Sequence, residues 1–406
     1  MSLQSAGMSL QGTREQRRAR ARVVVAGDFC PSDRVVDLLL AAPKREILGD
    51  LAQHLGRADL SILNLECPLS NAGTPIAKTG PHLRGRPEVA GLVRELGFDV
   101  AALANNHVRD FGDAAVIATL EGCAKSGLKT VGAGRSVLEA AEPLVVTVGE
   151  VRVGLIAACE EEFSAADVNR PGSNPIDPLR LVDQVCGNRD RWDVLVVLLH
   201  AGRELYPYPT PRQRTLCQWI VRLGASAVIC QHSHCPGCYE RVGTSVIVYG
   251  QGNFLFDPPN TKPSTWFEGF AVSLEFEEGQ LADFELLPFR QPDFGSLEEG
   301  ASFLRLDSVT EEVNRRSREI QQAGFVEMLW EEHCRSVAST YYLWLSGTRW
   351  HDRLRFQLAR LLRREFRPFS KQARRRYSLL IRCDTHREIL ETILAEQGSH
   401  GNGSVR

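Results

Sequence analysis

The chain has 406 residues, is 43% hydrophobic and 24% charged, and carries 48 Lys+Arg against 50 Asp+Glu for a formal net charge of -2. At about 100–200 residues per domain, this length holds two domains, or one large domain with an appendage. The composition excludes a mostly disordered or collagen-like chain and a polytopic membrane protein, and the balanced charge gives no whole-chain argument for nucleic-acid binding.

Residues 1–20 read as a disordered basic tail. Met1 to Arg22 has no apolar h-region, and no stretch approaches the about 18 consecutive apolar residues of a membrane span. The expectation is a soluble, cytoplasmic protein with no membrane and no nucleic-acid partner. Eleven cysteines make an odd count, and several, such as Cys159 and Cys230, sit in apolar runs that suit buried free thiols.

From residue 21 to about 290, short apolar runs alternate with amphipathic stretches. Val23–Ala26, Leu60–Leu63, Val100–Leu103, Val194–Leu199 and Ala227–Cys230 predict buried strands. Glu88–Leu96, Ala114–Lys125 and Arg212–Leu223 space their apolar residues as helices do. The alternation predicts α/β layering. Later runs are different. Gly149-Glu150 and Glu278-Gly279 each sit between two apolar runs and predict hairpins, so the sheets are expected to be mixed. After Pro292 the strand pattern is expected to stop. Residues 291–397 predict a helical C-terminal region, dense in arginine between Arg353 and Arg387, and 398–406 a disordered tail. The arginines read as a solvated helix face pairing with Glu, or as a groove for an acidic or peptide partner.

Five polar clusters each follow a predicted strand: Gly27-Asp28, Asn64-Leu65-Glu66, Asn105-Asn106-His107 with Asp110, His200-Ala201-Gly202-Arg203-Glu204, and His232-Ser233-His234. Ligands in open α/β sheets bind outside the carboxyl ends of the strands. Each cluster alone is a weak signal, since a lone Asp after a strand is commonly a helix cap. Together they place oxygen and imidazole donors around one point. Such mixed ligation suits Mn, Fe, Zn or Co better than Mg alone. In an extended segment, His-x-His aims its rings to opposite sides; on a loop both converge. Cys235-Pro236-Gly237-Cys238 lacks a second C-x-x-C and reads as a turn with two thiols. Tyr206-Pro207-Tyr208-Pro209 reads equally as a rigid surface loop or as a wall for a peptide.

In this order, with Cys67-Pro68 after Glu66, Gly112 after Asp110, and Tyr249-Gly250-Gln251-Gly252-Asn253-Phe254, the clusters resemble the poly-γ-glutamate capsule-protein (CapA) family of the calcineurin-like metallophosphoesterases. The resemblance covers about residues 22–290. It implies an α/β fold, a four-layer α/β/β/α sandwich, here with a C-terminal helical appendage. It also implies two divalent metal ions, with Mn, Fe, Zn and Ca undistinguished. By motif, Asp28 and His234 would hold one ion, Asn106, His200 and His232 the other, and Glu66 would bridge. His107 matches a non-ligand acid or base, and Asp110 would orient it. Two departures stand out: Cys30 occupies the His position of the superfamily's Asp-x-His, and Gln231 replaces a glycine. Cys30 reads as a small buried residue more readily than as a thiolate ligand.

Family members include a cytoplasmic epimerase of lasso-peptide precursors. The expected function is therefore metal-dependent acid/base chemistry on a peptide substrate, specifically Cα epimerisation, with His107 as one acid/base and Glu204, Asp110 or a metal-bound water as the other. The alternatives are a two-metal phosphoesterase and a non-catalytic binding protein with a relic site.

Overall fold

The computed structural model describes residues 19–362 except 42, 79, 259, 261, 293–301 and 346–349. The strands Arg20–Cys30, Leu60–Leu65, Val100–Ala102 and Lys129–Val131 lie side by side in parallel. Glu268–Glu277, Gln280–Arg290 and the two-residue Leu304–Arg305 extend this sheet in antiparallel fashion on the other side of Arg20–Cys30. Asn253–Phe256 pairs in parallel with the end of Arg20–Cys30, bringing Asn253 opposite Asp28. A second sheet runs Tyr239–Val242, Ser245–Val248, Ala227–Gln231, Val194–His200, Val151–Cys159, Leu144–Val148.

Side-chain alternation sorts these strands into layers. Val23 and Val25 face a core shared with Val153, Val196, Leu198 and Ile229 of the second sheet. Their neighbours Val24 and Ala26 face the opposite way, toward Val35, Leu39, Val93 and Val116 of the helices Asp33–Ala41, Val89–Glu95 and Asp113–Lys125. On the far side, Leu195, Val197 and Leu199 pack against Leu181, Cys217 and Ile220 of the helices Pro178–Cys186 and Pro211–Leu223. The order is therefore helix, sheet, sheet, helix, an α/β fold of four layers with mixed sheets. Local chemistry sets the helix ends. Thr210 and Gln213 form a capping box ahead of Pro211, and Gly224 closes the same helix at φ 119°.

The strands do not stop at Pro292. Phe303 fills the core beside Phe254 and Phe289, and Leu304–Arg305 adds to the sheet edge. The helix Asp307–Glu319 then buries Val309 and Val313 in the inter-sheet core. Its Ser317 and Asn314 bond Tyr239, and Arg316 donates to the Pro236 carbonyl at 2.8 Å. The first compact unit accordingly runs to Val326 rather than to residue 290. A second unit begins at Glu327; its described part is the remainder of the helix Phe325–Leu345 and the helix Trp350–Leu361. No helix of the described residues is long and apolar enough to cross a membrane. Of the expected N-terminal tail, residues 1–18 lie outside the described residues, while Arg20 opens the first strand; residues 363–406, with the Arg374-Arg375-Arg376 run and the expected C-terminal tail, lie outside them too.

Gly27 marks the closest approach in the sandwich. A Cβ there would stand 2.1 Å from the Gly252 carbonyl oxygen, while the next residue, Asp28, donates its N–H to that same oxygen at 3.3 Å. Gly27→Ala must push two backbone segments apart, and overpacking of this kind costs about 1–3 kcal/mol. Urea denaturation is expected to show a lower midpoint with an unchanged slope; a wild-type midpoint would contradict the constraint.

Candidate metal centre

The parallel strands of both sheets end at one place, between the sheets. Asp28 lies near the end of Arg20–Cys30, and Glu66 directly after Leu60–Leu65. Asn105, Asn106 and His107 follow Val100–Ala102, His200 ends Val194–His200, and His232 and His234 follow Ala227–Gln231. All are buried.

Both His-x-His residues adopt positive φ, 91° at His232 and 50° at His234. These are uncommon for non-glycine residues, and such strain clusters where the surrounding structure enforces it. The twisted backbone is what turns both rings the same way. Their centroids are 6.0 Å apart, and His232 lies 4.6 Å from His200.

The donor atoms converge. His200 Nε2 is 3.1 Å from Asn106 Oδ1, 3.0 Å from His232 Nδ1 and 3.5 Å from Glu66 Oε1. His234 Nε2 is 3.6 Å from the same Glu66 oxygen. Asp28 lies 3.4 Å from His234 Nδ1 and 4.0 Å from His200 Nδ1. Two triads, Glu66–His232–His234 and Asp28–Glu66–His200, each keep their ligand atoms within 4.8 Å of one another, with Glu66 common to both. The resemblance pairs Asp28 with His234; the geometry brings Asp28 beside His200 as well.

Glu66 tests whether this set suits a cation. Both its carboxylate oxygens are buried and have no hydrogen-bond partner. A bare buried carboxylate is too costly to persist, so the group must hold a proton or a cation. Burial, followed by the charge of Asp28, pushes the Glu66 carboxyl well above its ordinary value. Burial raises Asp28 from 3.8 to about 7, although Asn64 and the His232 N–H oppose the shift. Burial also holds His200 and His234 well below the usual imidazole value, and the His232 neighbour adds to this; burial lowers His232 too. Without a cation, then, burial favours the uncharged forms of these ligands, with Asp28 largely protonated only below about pH 7. Carboxylate oxygen, amide oxygen and neutral imidazole are the donor set of a divalent cation, so the residues fit one.

The ligands are held from behind. Asn64 donates to Asp28 Oδ1 at 2.7 Å and lies 3.2 Å from His200 Nδ1. His234 Nδ1 donates to Asn253 Oδ1 at 2.9 Å, which leaves Nε2 toward Glu66. Asn105 links the two groups, donating to the Leu65 carbonyl at 2.8 Å and accepting the His107 N–H at 3.2 Å.

His107 stands beside the ligands with its own partner, Asp110, whose Oδ2 accepts from Nδ1 at 2.7 Å. Asp110 also accepts from Lys78 and from the Leu83 N–H. Glu204 is exposed, on the loop after His200, and its charge acts on both His232 and Glu66. Cys30 is buried. Hydrogen bonding with Cys67, then burial, pushes its thiol well above the ordinary value, so it is a neutral thiol. Burial pushes Cys235 up to about 12 and raises Cys238. The tyrosine loop is anchored: Tyr208 donates to Glu319 at 2.7 Å and packs 5.8 Å from Phe325.

Asn64, Asn253 and Lys78 are absent from the sequence-predicted site. Asn64 stands two residues before Glu66 and Asn253 ends the Tyr249–Asn253 run, so their place in those polar clusters is the available signal. Lys78, a single charged residue between Gly73 and Gly80, gives none.

The family profile described as "Bacterial capsule synthesis protein PGA_cap" matches residues 22–258. The capsule biosynthesis protein CapA of Bacillus anthracis is 26% identical over 253 residues, 60% of this chain and 62% of that protein. The PGA biosynthesis protein CapA of Bacillus subtilis is 30% identical over 211 residues, 51% of this chain and 54% of that protein. The chain thus matches under two thirds of each relative's length. The calcineurin-like phosphoesterase YfkN of Bacillus subtilis superposes with a TM-score of 0.39 at 12% identity, covering 77% of this chain and 99% of that one.

Metal uptake must displace protons from Asp28 and Glu66. Protons compete less as pH rises, so apparent affinity for Mn(II) should climb as pH rises through about 7. Calorimetry in two buffers of different ionisation enthalpy should register proton release at pH 6. Equal affinity at pH 6 and pH 8 would contradict protonated carboxyls in the metal-free site. Glu66→Gln should weaken uptake by about 10-fold or more.

Proposed function

This chain belongs to the PGA_cap family of bacterial capsule synthesis proteins, and we propose that it is a metal-dependent acid/base enzyme acting on a peptide-type substrate, moving the proton on a carbon next to a carbonyl or carboxylate. The single observation that carries the reading is the pairing of two separate devices. One is the buried, partnerless Glu66 carboxyl ringed by Asp28, His200, His232 and His234. The other is the His107–Asp110 pair beside it.

Two divalent ions are the proposed load, among Mn, Fe, Zn and Ca, with Asp28 and His234 on one, Asn106, His200 and His232 on the other, and Glu66 shared. Bound there, they would polarise a substrate oxygen and stabilise the negative charge left when an adjacent C–H ionises. His107 exchanges a proton through Nε2, because Nδ1 is committed to Asp110. Asp110 is fully buried and both of its oxygens accept hydrogen bonds, so its role is to orient the imidazole. Glu204 is the proposed second acid/base, because it is exposed on the loop carried by the other sheet. One group takes the proton from one face of the carbon and the other returns a proton to the opposite face, which inverts the centre with no net change in atoms.

The relatives' names, which refer to capsule and PGA biosynthesis, support a peptide-type substrate. A polymer of amide-linked residues offers carbonyls and carboxylates and contains no phosphoester. The specific form proposed is Cα epimerisation of a residue in a ribosomal precursor peptide.

Incubating the Mn-loaded chain in deuterium oxide with carboxylate-terminated peptides and γ-linked glutamate oligomers should add a single deuteron at an α-carbon. His107→Gln should lower that rate about 10²–10⁴-fold while leaving metal content intact. Release of nitrophenol from phosphate esters without any exchange would replace the reading with phosphoester hydrolysis. Tight metal binding with neither activity would replace it with a binding role.

A further inference from the structure

Lys78 places a buried ammonium behind the His107–Asp110 pair. It sits on the segment 71–84, most of whose described residues are exposed, yet its own side chain is only 3% exposed. Burying an ammonium is costly unless it is paired. Its partner is Asp110 Oδ1, and its Nζ also stands 3.1 Å from His107 Nδ1. An ammonium has no acceptor, and His107 Nδ1 already donates to Asp110 Oδ2 at 2.7 Å. The two nitrogens are therefore two donors sharing one carboxylate.

Asp110 is saturated by this arrangement. Lys78 takes Oδ1, while His107 and the Leu83 N–H, at 2.7 Å, take Oδ2. Its backbone carbonyl accepts the Ile76 N–H at 3.0 Å. Asp110 thus bonds the segment 71–84 at Ile76, Lys78 and Leu83 and bonds His107 with the same carboxylate. Arg84 reinforces the joint, lying 3.4 Å over the Phe111 ring and donating to the Ala72 and Gly73 carbonyls. The carboxylate has no freedom to turn away. Lys78 cannot accept the His107 proton, so a protonated Nδ1 has Asp110 Oδ2 as its acceptor, whereas an unprotonated Nδ1 would accept from Lys78.

We propose that Lys78 is a positioning residue that locks His107 in the tautomer with Nδ1 protonated and Nε2 free, and that couples this lock to the segment 71–84. The proposal rests on the reading of His107 as an acid/base. Lys78 acts on His107 through Asp110. Losing its ammonium frees one carboxylate oxygen, lets Asp110 rotate, and lets the proton of His107 redistribute between the two ring nitrogens.

The test is long-range proton–nitrogen correlation NMR on the ¹⁵N-histidine-labelled full chain loaded with diamagnetic Zn(II), with the His107 ring identified by its disappearance in His107→Gln. Wild type is expected to give the single-tautomer pattern, with Nδ1 protonated. Lys78→Met and Lys78→Gln should give averaged nitrogen shifts from exchanging tautomers, at unchanged zinc content, and Lys78→Arg should restore the single pattern. A single-tautomer pattern retained in whichever of the Met and Gln variants folds would overturn the proposal, as would a wild-type ring protonated at Nε2. Failure of all three variants to fold, with loss of the zinc site, would also overturn it in favour of a purely structural lysine. This readout needs no substrate, so its failure is separate from failure of the proposed reaction. If α-proton exchange is found, Lys78→Met should slow it about 10-fold or more and Lys78→Arg should recover most of the rate.

Discussion

The constraint on which the whole site depends is the burial of the Glu66 carboxyl without any hydrogen-bonding partner. An ordinary core does not tolerate such a group, because neither water nor a donor compensates the lost hydration. Around it stand three imidazoles and the Asp28 carboxyl, the groups least suited to fill a core and best suited to share a cation. The same burial that raises both carboxyls also lowers the imidazoles. It disfavours charge on the metal-free ligands and makes metal entry an exchange of protons for a cation.

The fold explains how six distant stretches of chain reach that point. Parallel strands in two facing sheets deliver their carboxyl ends to one rim, and the residues just after each strand inherit the position. The backbone makes local adjustments where a strand alone would misdirect a side chain. The positive φ at His232 and His234 turns alternating rings to one side. Gly27 lets the Gly252 segment come close enough for Asn253 to lie opposite Asp28 and accept from His234. Asn64 and Asn105 then tie ligands from both sheets to the loop that bears His107.

Much of this was legible in the sequence, for an identifiable reason. Buried strands such as Val194–His200 carry nearly continuous apolar runs, so their ends are sharp, and the polar clusters at those ends stand out. Asp28, Glu66, Asn106, His200, His232 and His234 all come together as that pattern required, with His107 and Asp110 adjacent. Two things were not legible. The strand Asn253–Phe256 is short and follows a glycine-rich turn, and its pairing with Arg20–Cys30 is long-range. Lys78 lies in a loop outside every predicted element, where a lone lysine reads as solvated; only the fold of the loop back onto Asp110 buries it. The boundary near residue 290 also shifted, because Phe303, Val309 and Val313 are too widely spaced to read as sandwich core without the strand edge they cover.

The chemistry of the site turns on where a divalent cation resides. Crystals of the Mn-loaded chain, measured at a wavelength where Mn scatters anomalously, locate the ions directly. The predicted result is anomalous density between Glu66, His200, His232 and His234, with a Glu66 oxygen in direct coordination. Density confined to surface carboxylates, with Glu66 left bare or bonded only to protein, would contradict it.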